Sequence, residues 1–188
     1  MSVRIPLPKD ADLPKDIHEA LSSFPLNVSR MLANAPASFK AFLDLAFSIL
    51  FKSEFDPRKR EIAVLRVAHV TRSIYEWTHH VGIAKKTGVK DEEIEKIASD
   101  GPVSSLDEEG NLLCRVADEI SRDIRLSDEA LNLILERYGV RGATELILCC
   151  SYFNMLSRFL ESTRVELEEE RTSLLNLYDR NSRNRAGT

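Results

Sequence analysis

Residues 60–94 read REIAVLRVAHVTRSIYEWTHHVGIAKKTGVKDEEI, and they carry the clearest sign of how the chain folds. Their apolar residues recur every three or four positions, which is the period of an amphipathic helix. Asp56 followed by Pro57 is typical of a helix start, since Asp caps a helix and proline suits its first position. A second helix from about Ser73 is expected to end at Gly88, which suits a left-handed helix end. We therefore predict two consecutive helices.

The same period extends along the rest of the chain, and no convincing alternating strand pattern occurs. The further predicted helices cover about 14–22, 27–35, 37–52, 91–99, 107–121, 127–138 and 142–161. Asn27 is the expected cap of the second of these, and Gly139 is the expected end of the helix before the last. The sequence thus predicts an all-α, single-domain bundle of about seven to nine helices.

The ends of the chain differ from its middle. Residues 1–24 are predicted to be an N-terminal extension with a short helix, 25–165 the helical domain, and 166–188 a charged C-terminal tail. The tail contains Arg180, Arg183 and Arg185, and its last residues, NSRNRAGT, are expected to be disordered. The apolar segment 142–161 is expected at the centre of the bundle or at a subunit interface.

Composition limits the classes of partner. Hydrophobic residues make up 43% of the sequence and charged residues 30%, as in an ordinary globular protein. The net charge of -4 provides no broad basic field, so we expect neither nucleic acid nor anionic membrane as a partner. We find no secretory signal pattern and no apolar run of the roughly 20 residues that a membrane span needs. A cytoplasmic location is therefore expected.

The cysteines form no recognisable site. Cys114, Cys149 and Cys150 lack the CxxC or Cys/His spacing of a zinc clamp. The adjacent pair Cys149 and Cys150 lies in ELILCCSYF, where small buried apolar residues on a core helix are the favoured interpretation. A redox role is the minor alternative.

One face of the second helix brings chemical groups together. Ser73, Glu76, Trp77 and His80 fall within an arc of roughly 100°. Glu76 and His80, four residues apart, are expected to meet in an apolar setting and to titrate as one unit near neutrality, which suits proton transfer. A solvated pair or a satisfied core contact is the alternative interpretation.

Other polar residues of this region have weaker signals. Glu61 opens the run before IAVLRVAHV, where an acidic residue usually serves the helix dipole. His69 and His79 are expected at the polar edges of their helices. Glu76 and His79 have the Glu-x-x-His spacing of di-iron bundles, but such bundles need two copies plus two further glutamates. Only one copy is present, so we predict no metal.

The quoted stretch resembles the core of the carboxymuconolactone decarboxylase family, within the alkylhydroperoxidase-D-like superfamily. In that family a glutamate on one helix precedes a Tyr-Glu-Trp-x-x-His stretch on the next, followed by a glycine helix end and an acidic helix start. The matching residues here are Glu61, Tyr75-Glu76-Trp77-Thr78-His79-His80, Gly88 and Asp91-Glu92-Glu93. The resemblance covers roughly residues 25–165 and implies the helical fold of that superfamily.

The alkylhydroperoxidase-D branch has a signature of Glu, eleven residues, then Cys-x-x-Cys-x-x-x-His. Laid on this sequence, its cysteine positions hold Ser73 and Glu76, and its histidine is His80. A dithiol peroxidase needs a thiolate and a resolving thiol, which serine and glutamate cannot provide. An antioxidant peroxidase of that type is therefore disfavoured, and would have to use other cysteines.

The decarboxylase branch is similar in having glutamate at the second position and in keeping the histidine. Its reaction removes CO2 from a carboxylated γ-lactone in aromatic compound degradation, without metal or organic cofactor. The resemblance implies that His80 donates the proton, that Glu76 orients and tunes His80, and that Glu61 completes the proton network. We predict a cofactor-free lyase or isomerase acting on a small carboxylated lactone or related carbonyl compound.

The same resemblance implies a substrate-binding set of Ser73, Trp77, Asn154 and Arg158. Ser73 is expected to donate a hydrogen bond, whereas Asn154 and Arg158 would bind an anionic substrate if their helix lines the cavity. An arginine paired at a subunit interface is the alternative for Arg158. Family members are typically trimers or hexamers, so a homo-oligomer is expected. A third hypothesis is a non-catalytic helical protein that keeps the family core for assembly or ligand binding.

Overall fold

The structure, a computed structural model, describes residues 3–168 and 174–179. In chain order its helices are a 3-10 turn at Asp10–Asp12, α1 (Lys15–Ser23), α2 (Asn27–Leu32), α3 (Pro36–Phe51), α4 (Pro57–Val70), α5 (Ile74–Lys86), α6 (Asp91–Ile97), α7 (Glu108–Arg122) and α8 (Asp128–Thr163). Residues 174–179 are also helical. Because no strand occurs within these described ranges, the predicted all-α class is confirmed. The predictions for Arg180, Arg183, Arg185 and residues 181–188 fall outside the described residues.

The chain divides into two compact units, Met1–Lys52 with Phe159–Thr188, and Ser53–Arg158. The predicted boundaries near residues 24 and 165 stay predictions. In the first unit, α1, α2 and α3 surround a small apolar core formed by Ile17, Leu21, Leu32, Ala33 and Phe39. Helix α3 was expected to be a core helix, but in this structure only Phe39 and Ile49–Phe51 are buried among its residues.

Asn27 differs from its predicted role as a helix cap. It is the first residue of α2, after the N-cap Leu26. Its backbone N–H donates to Glu168 Oε1 at 2.6 Å, and its side chain donates to the carbonyl of Glu166 at 3.0 Å. A carboxylate distant in sequence therefore satisfies the helix end, so that a local side-chain cap is not needed.

The second unit is organised around α4, which packs against α5, α6 and α7. All residues from Arg60 to Ala68 are buried, so this helix is enclosed on every side rather than on one face. Gly88 has a φ of 97°, the left-handed conformation expected at the end of α5. Gly139 has φ 66° and ψ 178° and breaks α8 where the sequence predicted a helix end. Among the described residues, no helix is long and apolar enough to cross a membrane.

The start of α4 depends on the predicted cap. Asp56 Oδ1 accepts a hydrogen bond from the backbone N–H of Lys59 at 3.0 Å, and Pro57 occupies the first turn. We expect Asp56→Ala to lower the free energy of unfolding by about 1 kcal/mol, measured by urea denaturation, because a first-turn N–H loses its acceptor. Asp56→Asn, which keeps an acceptor, is the control. Equal losses in both variants would show that the hydrogen bond is not the source.

Candidate active site

Helices α4 and α5 pack together and converge on three buried polar residues, Glu61, Glu76 and His80, hereafter the triad. Glu61 lies past the first turn of α4, which contains no acidic residue, and it is fully buried. Its interpretation as a first-turn acid serving the helix dipole is therefore wrong. Helix α4 begins at Pro57, so Glu61 does not stand at its end. The burial of Glu61 places its side chain inside the packed unit.

Both ring nitrogens of His80 face carboxylates. Its Nδ1 lies 2.7 Å from Glu61 Oε2, and its Nε2 lies 3.5 Å from Glu76 Oε2. The tighter partner is thus the glutamate of the neighbouring helix, whereas the glutamate four residues away on the same helix is the looser one. His80 is 1% exposed, so neither contact is a solvated surface pair.

The two carboxylates of the triad are shifted in opposite directions. Burial works to raise the pKa of Glu61, but His80 and Arg60 outweigh it and hold this pKa below the usual value. Burial raises the pKa of Glu76, against the weaker influence of His80 and His79. The pKa values of the two carboxyl groups are thus pulled apart, which is how environment gives two carboxyl groups different acid–base roles.

His80 retains its proton more firmly than an ordinary histidine. Burial alone would lower its pKa, but the charge and hydrogen bond of Glu61, together with the charge of Glu76, raise it. With Nδ1–H donating to Glu61, the Nε2 side is left to exchange a proton with Glu76 or with a bound molecule. The arrangement is that of an oriented imidazole backed by a carboxylate.

Ser73 lies at the start of α5, on the same face as Glu76 and His80. It is 1% exposed, and its side chain does not cap the helix. Its Oγ has no hydrogen-bond partner among the described residues. Because a buried hydroxyl without a partner costs free energy, Ser73 is available to donate to a group that enters the site.

Trp77 and His79 of α5 each pack against another ring. Trp77 is half-buried, and its ring meets His69 edge-on at a centroid distance of 6.1 Å. His79 was expected at a polar helix edge, but it is only 8% exposed because its ring packs on Tyr75 at 4.5 Å. The ring of Trp77 thus pairs with His69, and a substrate-binding role for Trp77 stays a prediction.

Asn154 and Arg158 contact each other and α7. Asn154 Nδ2 donates to Ser121 Oγ at 2.9 Å, and Arg158 Nη1 donates to Asn154 Oδ1 at 2.6 Å. These contacts connect α8 to the end of α7 and account for the burial of Asn154. Their predicted role in binding an anionic substrate remains untested, and each already has a protein partner.

Sequence reasoning missed two neighbours of the triad. Arg60 is 2% exposed, and its Nε donates to Glu61 Oε1 at 3.0 Å. The ring of Phe153, from α8, meets that of His80 edge-on at 4.8 Å. The apolar segment 142–161 pointed to aromatic residues in the core, but nothing local in the sequence distinguishes Arg60 from the other basic residues near the start of α4.

The cysteines are buried and poorly ionised. Burial raises the pKa of Cys114 and Cys150 to about 12 and that of Cys149 well above its usual value. Their burial agrees with the interpretation of small core residues. In the part of the chain that the structure describes, no cluster of three or more His, Cys, Asp or Glu side chains is arranged to hold a metal ion. A cleft of about 600 Å³ lies along α7, and the triad does not line it.

The segment that contains the triad matches a known protein family. Residues 36–103, which contain the whole triad, match the model described as "Carboxymuconolactone decarboxylase family". This match confirms the resemblance found in the sequence. No curated protein matches the chain.

Two solved structures show the fold. One is described as "alkylhydroperoxidase AhpD core: uncharacterized peroxidase-related protein" from Ralstonia eutropha JMP134; it has a TM-score of 0.75 and 18% identity, over 89% of this chain and 93% of that chain. The other is an uncharacterized peroxidase-related protein from Silicibacter sp. TM1040, with a TM-score of 0.68 and 16% identity, over 88% of both chains. The helical AhpD-like fold is thereby confirmed, and at these identities the likeness extends to the fold alone.

Proposed function

We propose that this chain, whose residues 36–103 match the carboxymuconolactone decarboxylase family, is an enzyme that works by acid–base chemistry without a cofactor. The proposed substrate is a small carboxylated lactone or a related carbonyl compound, and decarboxylation of 4-carboxymuconolactone is the sharpest form of the proposal. The observation that carries it is the buried histidine with a carboxylate at each ring nitrogen, at 2.7 Å and 3.5 Å.

The chemistry of decarboxylation fits this arrangement. As the bond to the carboxylate breaks, its electron pair passes into the conjugated lactone and CO2 leaves. The resulting enolate-like carbon of the lactone then takes a proton from His80 Nε2. This step neutralises both the lactone and the imidazole ring. Glu61 keeps His80 oriented and charged until that step. Because burial raises the pKa of Glu76, its carboxyl group is suited to return a proton to His80.

The substrate is proposed to approach from the Glu76 side. The side chain of Glu76 is 5% exposed, against 1% for His80 and 0% for Glu61, so it is the least enclosed member of the triad. Ser73, with its unpartnered Oγ, is proposed to donate a hydrogen bond to the lactone or to the departing carboxylate. A neutral Glu76 would repel an anionic substrate less than a carboxylate would.

The direct test is incubation of the protein with 4-carboxymuconolactone while CO2 and the lactone absorbance are followed. We expect one CO2 for each lactone consumed, with a rate that is unchanged after dialysis against a metal chelator. A γ-lactone that lacks the carboxylate is the substrate control. If the folded protein releases no CO2 above the spontaneous rate, the decarboxylase form of the proposal is rejected.

A thiol peroxidase is the alternative suggested by the two structural neighbours, which are described as peroxidase-related proteins. The positions of the branch's cysteines hold Ser73 and Glu76, so Cys114, Cys149 or Cys150 would have to act. Peroxide attack requires a thiolate, and burial raises the pKa of each of these thiols. Peroxide consumption that requires one of these cysteines would support this alternative, and consumption that survives replacement of all three would eliminate it.

A non-catalytic protein is favoured by one observation, the near-complete enclosure of the triad. A satisfied core network would look similar, since buried charges need partners. The unpartnered Ser73 Oγ argues against full satisfaction. Binding of the lactone without turnover, measured by calorimetry, would favour this candidate over the enzyme.

Assembly and location remain proposals as well. The predicted homo-oligomer is supported by Leu148 and Met155 on α8, which are 46% and 45% exposed in the single chain. Apolar side chains at this spacing lie on one side of a helix and are suited to burial against another copy. A cytoplasmic location is the expectation for such a protein.

A further inference from the structure

We propose that Arg60 is a positioning residue that fixes the negative charge on Glu61 and so assigns the proton shared by Glu61 and His80 to the histidine. The two oxygens of the Glu61 carboxylate have different partners. Oε1 accepts from Arg60 Nε at 3.0 Å, and Oε2 faces His80 Nδ1 at 2.7 Å. All three side chains are at most 2% exposed, so they interact without solvent between them.

One proton of the Glu61–His80 pair can lie on either residue. With the same number of protons, the pair can be an ionised Glu61 beside an imidazolium, or a neutral Glu61 beside a neutral imidazole. A fully buried pair often prefers the neutral form, because burial penalises both charges. Arg60 donates a hydrogen bond to the carboxylate, whereas its charge, which lowers the pKa of His80, is the weakest of the influences on that ring. Its positive charge therefore favours the ionised form of the pair.

The other groups around His80 do not replace this effect. Glu76 faces the opposite ring nitrogen at 3.5 Å and stabilises the imidazolium, but its negative charge opposes that of Glu61. From α8, Phe153 presents an uncharged ring edge. Cys149 and Tyr152, also on α8, are near the carboxylates, and burial keeps both in their neutral forms. Within residues 3–168 and 174–179, Arg60 is thus the fixed positive charge that hydrogen-bonds Glu61.

The consequence for chemistry depends on the proposed acid–base function. If the proton lay on Glu61, His80 would be a neutral imidazole that accepts a hydrogen bond at Nδ1 and carries its single proton on Nε2, and it would be a much weaker acid than the imidazolium. Arg60 would then act on the reaction without touching the substrate. The position of the proton can be measured whether or not the protein decarboxylates a lactone.

The experiment is nuclear magnetic resonance of the protein with ¹⁵N-labelled imidazole rings. The sequence has four histidines, so His80→Gln assigns the signals of His80. In the wild type at about pH 7, where an ordinary histidine is mostly neutral, we expect both nitrogens of His80 to be protonated. In Arg60→Gln, which keeps donors but removes the charge, we expect Nδ1 to shift to the position of an unprotonated nitrogen. Arg60→Lys should restore the wild-type signals.

Arg58→Gln is the matched control. Arg58 is on the same helix, and its guanidinium pairs with Glu93 rather than Glu61. This variant should leave the signals of His80 unchanged. The proposal is overturned if Arg60→Gln is folded, as judged by circular dichroism, and leaves both nitrogens of His80 protonated. If Arg60→Gln does not fold, the wild type decides, since an unprotonated Nδ1 in it at about pH 7 would also overturn the proposal.

Discussion

His80→Gln is expected to lower kcat/KM for the carboxylated lactone by about 10²–10⁴, the usual contribution of a positioned general acid. Glutamine is close in size to histidine and can still hydrogen bond, but it cannot deliver a proton at neutral pH. His79→Gln is the matched control, because His79 is adjacent, buried and packed on Tyr75 without lying in the proposed site. Turnover that survives in folded His80→Gln would remove His80 from the mechanism.

The change of kcat/KM with pH in the wild type tests whether His80 acts as a general acid. A general acid must be protonated, so kcat/KM should fall as pH rises through the pKa of His80. Because Glu61 and Glu76 raise that pKa, the alkaline limb should lie above the ordinary value of 6.5. Glu61→Gln removes the nearer carboxylate and should move the limb to lower pH. A limb that does not move would show that it belongs to another group.

The fold was predictable because its signals are local. Asp56 and Pro57 set the start of α4 through groups within one turn, and Gly88 sets the end of α5 through its own backbone conformation. These signals act whatever the rest of the chain does. The extent of burial could not be predicted from local sequence. Helix α3 is as apolar as a core helix, but only some of its residues are buried in the structure.

The residues of the candidate site could be predicted from the sequence, but the contacts among them could not. The spacing of Glu76 and His80 put them on one helix face, and the family resemblance added Glu61. That Glu61 is the closer partner of His80 depends on how α4 packs against α5, which no helix period encodes. Arg60 was missed for the same reason, because its burial follows from the enclosure of α4 on all sides.

Arg66→Met is expected to lower the free energy of unfolding by about 3–5 kcal/mol, the range for breaking a buried ion pair by removal of one partner. The Arg66 side chain is 0% exposed and forks onto the carboxylate of Asp118 at 2.7 Å and 2.9 Å. It also donates to the carbonyls of Ile97, Ser99 and Gly101 at 2.6–2.8 Å. Methionine would fill the space but leave these acceptors without a donor.

Arg122→Met provides the comparison within the same unit, because Arg122 contacts the same carboxylate. Its Nε lies 3.9 Å from Asp118 Oδ1, and its side chain is 50% exposed, so we expect a loss of at most about 1 kcal/mol. Urea denaturation of both variants measures the difference. Arg66→Lys should recover only part of the loss, because an ammonium cannot make the planar fork. If Arg66→Met were no less stable than Arg122→Met, the burial of Arg66 and its contacts with carbonyls would not contribute to the free energy of unfolding. The run IAVLRVAHV would then tolerate an apolar residue in place of its arginine, and the loop after α6 would be held by other contacts.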